Sequence, residues 1–345
     1  MKHAGTQELT TNRLTLRPFT ANDTQAMYDN WASDSRVTRF LRWTPHTDPG
    51  VTRVILTEWI AKYENPSFYH WAIVPLAGKG DPIGAISVVS QDENTKKAHI
   101  GYCLSASYWH QGIMSEALAA VIDFLFTHTG FNRIESQHDP NNPHSGMVME
   151  KCGLQYEGTQ RSADYSNQGI CDAACYGILR EDWVCLKARD SYVKRPVIFH
   201  DFTELPALSD GEISLTCIRK SPADSQKGWV PCYRFEICLH DESIGYADLR
   251  IGYDENLFYS GNIGYAIDEP FRGHGYAGRA CRLLLPAAKA HGMKTLCITN
   301  NPLNHASYRV CEKLGARFIG KAPLPKWHSM YSETRRYSNI FLWDI

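Results

Sequence analysis

The chain contains no Cys-x-x-Cys pair among its eleven cysteines, no uninterrupted apolar run long enough to cross a bilayer, and almost no net charge. The first absence removes the commonest zinc and dithiol spacings. Five of the thiols (Cys103, Cys217, Cys238, Cys297, Cys311) fall inside apolar strand or helix patterns, where free cysteine behaves as a small hydrophobe. Cys171, Cys175 and Cys185 come nearest to a ligand set, but same-face positions in a strand-like run account for them, so no metal is expected. A bilayer span needs about 20 apolar residues, and the polar start Met1 to Thr6 has no apolar signal core. The expectation is a cytoplasmic protein without a membrane partner. A formal net charge of −1 gives no global field, so nucleic acid is not an expected partner and a polyanionic ligand must find a local site.

What is present comes in two copies. At 345 residues the chain suits two domains of about 150 to 180 residues each. The first, residues 1–188, reads as strand 13–18, a capped helix over 22–31, a helix over 49–63, strands 69–74, 83–89 and 99–104, a glycine loop and a helix to about 126. Strand 134–138, helix 143–151 and strands near 154–159 and 173–179 complete it. Periodicity fades after residue 186, and residues 189–211 read as a linker. The second domain, 212–345, begins afresh with strands 213–218, 233–238, 244–251 and 263–267. A glycine loop follows, then a helix to about 291 that Pro286 should kink, strand 296–299, helix 303–314 and strands near 317 and 340.

Ile100-Gly101-Tyr102-Cys103-Leu104 pairs with Ile263-Gly264-Tyr265-Ala266-Ile267. At the same spacing, Trp109-His110-Gln111-Gly112-Ile113-Met114-Ser115 pairs with Arg272-Gly273-His274-Gly275-Tyr276-Ala277-Gly278. Asn142-Pro143-His144-Ser145 then pairs with Asn304-His305-Ala306-Ser307, and each leads to a closing glycine, Gly153 and Gly315. Four matched elements in order imply a duplication. A glycine loop feeding a helix N-terminus turns several backbone N–H groups and the helix dipole toward an anion, so each loop is a candidate pyrophosphate cradle. Gly273-x-Gly275-x-x-Gly278 is also a dinucleotide fingerprint, which keeps a nicotinamide-dependent oxidoreductase open, although such a site wants an acid about 20 residues on, where Thr299 and Asn300 stand.

Arg272-x-x-Gly275-x-Ala277 after a strand, followed by the Asn304 to Gly315 segment, resembles the GNAT superfamily of acyl-CoA-dependent N-acyltransferases, over both modules nearly end to end. The resemblance implies an α/β fold of two tandem GNAT-like modules, each a mixed, mostly antiparallel sheet flanked by helices. It implies acetyl-CoA as cosubstrate, held in the second module at Ile267, Arg272, Gly273, His274, Gly275, Tyr276, Ala277, Gly278 and Asn304. In the first module the corresponding positions are Leu104, Gln111, Gly112, Ile113, Met114, Ser115 and Asn142.

The first module is similar to the subgroup that acetylates ribosomal-protein N-termini, through Arg13-Leu14-x-Leu16-Arg17, Ile100-Gly101-Tyr102 and Asn142-x-x-Ser145; His110 stands where that subgroup has glycine. The likeness makes Asp164 the candidate base and Ser145 the candidate proton donor to the leaving thiolate. Many superfamily members carry a tyrosine seven positions after the asparagine, where this chain has Met149 and Cys311, so Ser307 or Tyr308 is the candidate acid of the second module. The implied activity is direct attack of a primary amine, on a small molecule or a peptide, upon the acetyl thioester. Its intact Arg272 loop marks the second module as the better acetyl-CoA binder, with the first a second active site or an acceptor-recognition module. A tandem protein that binds acyl-CoA without catalysis is the alternative.

Overall fold

The computed structural model describes residues 1–197 and 199–345; residue 198, inside the expected linker, lies outside the described residues. The chain divides into two compact units, Met1–Arg180 and Glu181–Ile345. The first unit is built on eight strands: β1 Leu9–Thr10, β2 Leu14–Arg17, β3 His70–Pro75, β4 Gly84–Asp92, β5 Lys97–Leu104, β6 Arg133–His138, β7 Gln155–Ser166 and β8 Gly169–Leu179. They form one sheet in the order β1-β2-β3-β4-β5-β6-β8-β7. All neighbours are antiparallel except β5 and β6, which are joined by the crossover helix Ile113–His128 and run parallel. Residues 21–32 and the helix Pro49–Lys62 supply Met27, Trp31 and Leu56, which pack against Phe19 and the sheet residues Ala72, Val74 and Ala85.

The parallel pairing is short. It runs from Lys97↔Arg133 to His99↔Glu135 and then stops, although β5 continues to Leu104 and β6 to His138. The two strands open like a V from that point. Ser105 N–H donates to Ile83 C=O at 2.8 Å, so by alternation Gly101 and Cys103 also pair toward β4. The backbone groups of Ile100, Tyr102 and Leu104 therefore face the gap.

In the second unit the opening is complete. Strands β9 Leu208–Ser209, β10 Ile213–Ser221, β11 Cys232–Leu239, β12 Glu242–Arg250 and β13 Ile263–Ile267 form one sheet. A separate one holds β14 Thr295–Asn300, β15 Arg317–Pro323 and β16 Tyr337–Asp344 in the order β14-β16-β15. Asn262 bridges them: its N–H donates to Cys297 C=O and its Oδ1 accepts from Cys297 N–H, both at 2.7 Å. The same Oδ1 accepts from the Tyr192 hydroxyl at 2.7 Å, while Nδ2 donates to Arg250 C=O at 3.1 Å and Gly252 C=O at 3.0 Å. The expected break at Pro286 is present, dividing Tyr276–Leu283 from Leu285–Ala290, because proline offers no N–H to the preceding turn.

The sequence places residues 181–188 in the first module and 189–193 in a linker, yet one helix, Arg180–Val193, takes both. Its Cys185 and Tyr192 pack in the second unit against Leu257, Phe258 and Ile340. A stripe of Cys185 and Tyr192, seven residues apart, is too narrow for apolar periodicity to announce a helix. With the short helix Glu255–Ser260, it covers one face of the β14-β16-β15 sheet.

Asn262→Ala removes four hydrogen bonds at a fully buried position and leaves their partners unpaired. The expected loss is about 3 kcal/mol, read as a lower denaturant midpoint for the second unit. An unchanged midpoint would contradict the clamp.

Candidate active site

The site is laid out twice, beginning where the open strand ends. Trp109 Nε1 donates to Leu104 C=O at 2.8 Å in the first unit, and Arg272 Nε donates to Ile267 C=O at 2.9 Å in the second. An indole and a guanidinium thus do the same work at matched positions. Each fixes the loop that follows to the end of the open edge. Gly112 (φ 73°) and Gly275 (φ 83°) are left-handed N-caps of the helices they open. Two residues earlier, His110 (φ 58°) adopts the left-handed conformation that Gly273 (φ 89°) adopts in the other copy. Both loops therefore alternate left-handed residues, the backbone pattern that lets successive N–H groups converge on an anion. The His110 ring is turned edge-on to His144 at 4.7 Å between centroids. Ile113, Met114 and Ser115 are buried in the first helical turn, as is Tyr276 in the second copy.

Around these matched loops the charges are exchanged. Arg13 donates to Gln111 C=O at 3.0 Å and pairs with Glu116 at 2.6 Å. In the second unit the helix supplies the cation: Arg279 pairs with Asp210 at 2.6 Å and also with Glu212. Hydrogen bonds from Thr11 and Arg13 outweigh burial and hold the Glu116 carboxyl below its ordinary range. A side chain at Gly112 would lie 3.7 Å from both Arg13 Nη2 and Lys151 Nζ, whereas nothing lies within 4 Å of the same point at Gly275. The first loop opens on a cleft of about 340 Å³ lined by Arg13, Gly112, Ser115, Glu116, Lys151 and Cys152. Arg13 and Lys151, with Glu116 paired to Arg13, stand beside the first loop, and Asp210 and Glu212, both paired to Arg279, beside the second, whose own Arg272 is cationic.

Ser145 and Ser307 each meet a tyrosine from the open strand. Tyr102 OH lies 3.0 Å from both Ser145 O and Oγ, and Tyr265 OH lies 2.9 Å from Ser307 Oγ. Burial pushes both phenols well above their ordinary value, so they stay protonated and act as neutral donors and acceptors. Neither tyrosine was singled out as a site residue, although its place in the repeated Ile-Gly-Tyr was the available signal. Tyr308 is directed elsewhere, against Phe318 and Phe341 at 5.6 and 5.0 Å. Met149 and Cys311 are fully buried core residues. Asn304 caps its helix through Oδ1 to Ser307 N–H at 3.0 Å, whereas Asn142 makes no such cap.

Asp164 lies away from Ser145, in an arch over the other face of the sheet. Its carboxylate accepts from Gln137 Nε2 at 2.6 Å, Arg42 at 2.7 Å and Tyr165 N–H at 2.8 Å. Burial alone would raise its pKa, but these donors together hold it below the ordinary carboxylate range, which suits an anchor better than a base. The β7–β8 turn closes the arch, with Asn167 donating to Thr38 C=O at 2.8 Å and Trp43 C=O at 2.9 Å.

A V-shaped strand opening, a loop at its mouth and a serine–tyrosine pair make a candidate site for an extended anionic ligand. Residues 13–155 and 195–317 match the acetyltransferase (GNAT) domain, so the chain belongs to that family of acetyl-CoA-dependent acyltransferases, with two tandem modules. It is 28% identical over 177 residues to the uncharacterized N-acetyltransferase p20 of Bacillus licheniformis, an alignment covering 51% of this chain and 98% of that one. It is 33% identical over 94 residues to the ribosomal-protein-serine acetyltransferase of Escherichia coli, covering 27% of this chain and 52% of that one. Among solved structures it is similar to the ribosomal L7/L12 α-N-protein acetyltransferase RimL in complex with coenzyme A, with 22% identity, 50% of this chain and 98% of that chain covered, and a TM-score of 0.46. Among the described residues no helix is long and apolar enough to cross a membrane.

The exchanged ion pairs give a direct test. Glu116→Arg alone sets two guanidinium groups together and should lower the thermal midpoint of the first unit. Adding Thr11→Asp and Arg13→Glu copies the second unit's arrangement and should recover most of the loss. Equal midpoints for the single and triple variants would contradict the pairing.

Proposed function

We propose that this protein transfers the acetyl group of acetyl-CoA directly to a primary amine of a small molecule or peptide, and that the first unit carries the reaction. The observation that supports this most is the coincidence in that unit of the open β5 edge, the Tyr102–Ser145 pair and a loop flanked by Arg13 and Lys151. The diphosphate lies against the loop N–H groups, with the two cations beside it. The pantetheine arm runs along the open edge of β5, and the N–H groups of Tyr102 and Leu104 point to where charge develops on the thioester oxygen. The amine nitrogen bonds to the thioester carbon, the carbon–sulfur bond breaks, and Ser145, backed by Tyr102, passes a proton to the thiolate. A thiol of pKa about 8.5 is a good leaving group, so this acid need only be mild. Holding both reactants in line can contribute about 7 to 11 kcal/mol, more than proton transfer supplies.

This reading shifts the weight from the intact Arg272 loop to the altered His110 loop. For the second unit we infer a non-catalytic role, because Asp210 and Glu212 stand where the first unit has Thr11 and Arg13, and helix Arg180–Val193 fills a sheet face that an acceptor would need. Titration of the full chain with CoA should show one dominant site. Arg13→Ala with Lys151→Ala should weaken it on the order of 100-fold, with a smaller salt dependence, while Gly275→Glu should leave it unchanged. Loss of the dominant site in Gly275→Glu would assign cofactor binding to the second unit instead.

A further inference from the structure

One titratable pair in the first unit lies outside everything assigned so far. His99 and Glu135 are the last residues of the short parallel pairing between β5 and β6, so they sit at the closed end of the V. His99 Nδ1 lies 3.5 Å from Glu135 Oε1. Glu135 is itself held by Lys97 Nζ at 2.9 Å and Arg133 Nε at 3.1 Å. The imidazole is 20% exposed. By strand alternation it shares its face of β5 with Gly101 and Cys103. Gly101, about 7 Å along the strand, places no side chain of its own on that face, and the exposed Val89 side chain of β4 lies over it, with Cγ1 2.9 Å from where a Cβ would stand, between His99 and the open edge of Tyr102 and Leu104.

We propose that His99 is the base that frees the acceptor amine in the first unit, with Glu135 as the residue that sets its tautomer. This rests on the acetyltransferase reading above. The carboxylate attracts the proton to Nδ1 and leaves the Nε2 lone pair available on the acceptor side. The charged groups around the ring are Lys97 on its own strand, Glu135 and Arg133 on β6, and Arg42 from the arch, itself paired with Asp164 of β7. Burial outweighs the attraction of Glu135 and lowers the pKa of His99, so the ring is neutral at pH 7 and able to accept. The acceptor enters as an ammonium, and Nε2 takes one proton. The nitrogen lone pair then forms the bond to the thioester carbon, and the carbon–sulfur bond breaks with its electrons on sulfur. The second amine proton reaches sulfur through the Ser145 hydroxyl, and the imidazolium returns its proton to solvent.

The duplication supplies an internal contrast. The residues matched to His99 and Glu135 are Asn262 and Cys297. Asn262 is fully buried and spends its side chain on hydrogen bonds that tie strands and a helix together. Cys297 is buried as well, and burial drives its thiol far above its ordinary value. One copy holds a base and its orienting acid where the other holds a structural clamp.

Two measurements on the full chain test this. Imidazole nitrogen NMR at pH 7 should find His99 protonated at Nδ1 and bare at Nε2, titrating below the usual histidine range, with Glu135→Gln shifting the tautomer balance. A ring protonated at Nε2 would overturn the proposal whether or not an acceptor amine is known. In CoA-release assays with a responsive amine, His99→Gln should lower kcat/KM on the order of 10²-fold and abolish the acidic limb of the pH profile without changing CoA affinity. Glu135→Gln should move that limb rather than remove it. Wild-type activity and an unaltered limb in His99→Gln would refute the base while leaving the acetyltransferase reading intact. An absence of CoA release from wild type with every amine, despite the expected tautomer, would count against the acetyltransferase reading instead.

Discussion

The structure turns on a hydrogen-bond ladder that stops early. Buried backbone N–H and C=O groups are almost always paired, and leaving one unpaired costs about 1 to 3 kcal/mol. Past His99 and Glu135, β5 and β6 separate and the gap-facing groups of β5 need other partners. Two are met by side chains: Ser136 Oγ donates to Ile100 C=O and Trp109 Nε1 to Leu104 C=O, both at 2.8 Å. The N–H groups of Tyr102 and Leu104 face the opening, where on the proposed reading an extended ligand with amide and thioester oxygens would supply what β6 does not. The fold thus leaves a strand edge open and sets a glycine loop at its mouth.

Duplication of that scaffold lets one copy serve as a control for the other. Backbone features are shared: left-handed residues at the same loop positions, a side chain tying the loop to the strand end, and a tyrosine on a serine. Side-chain charge is not. The hairpin–helix ion pair is kept with its signs exchanged, so selection on folding is satisfied by either orientation while the field at the loop differs. On the proposed reading a diphosphate favours the first arrangement. The copy with the better glycine pattern has Asp210 and Glu212 around Arg279, so glycine spacing and side-chain charge point to different copies.

Much of this was legible in the sequence. Strand and helix periodicity, Pro286 and the paired Ile-Gly-Tyr, loop and Asn-x-x-Ser elements located the scaffold, because each is set by local chemistry. The helix Arg180–Val193 escaped because it buries only a narrow stripe, and its role belongs to residues some 70 to 150 positions later. The Arg13–Glu116 pair and the His99–Glu135 pair escaped because sequence shows neither the 103-residue separation being closed nor two strands being parallel at that point. The likeness that makes Asp164 a candidate base shows nothing of its three hydrogen-bond donors, which meet it only in the folded arch.

On the proposed reading, the open edge of β5 in the first unit receives acetyl-CoA. Amide hydrogen exchange on the full chain, with and without acetyl-CoA, reads that edge directly. Tyr102 and Leu104 should gain strong protection on binding, while Tyr265 and Ile267 change little. Protection confined to Tyr265 and Ile267, or no protection at either edge despite saturation, would contradict it.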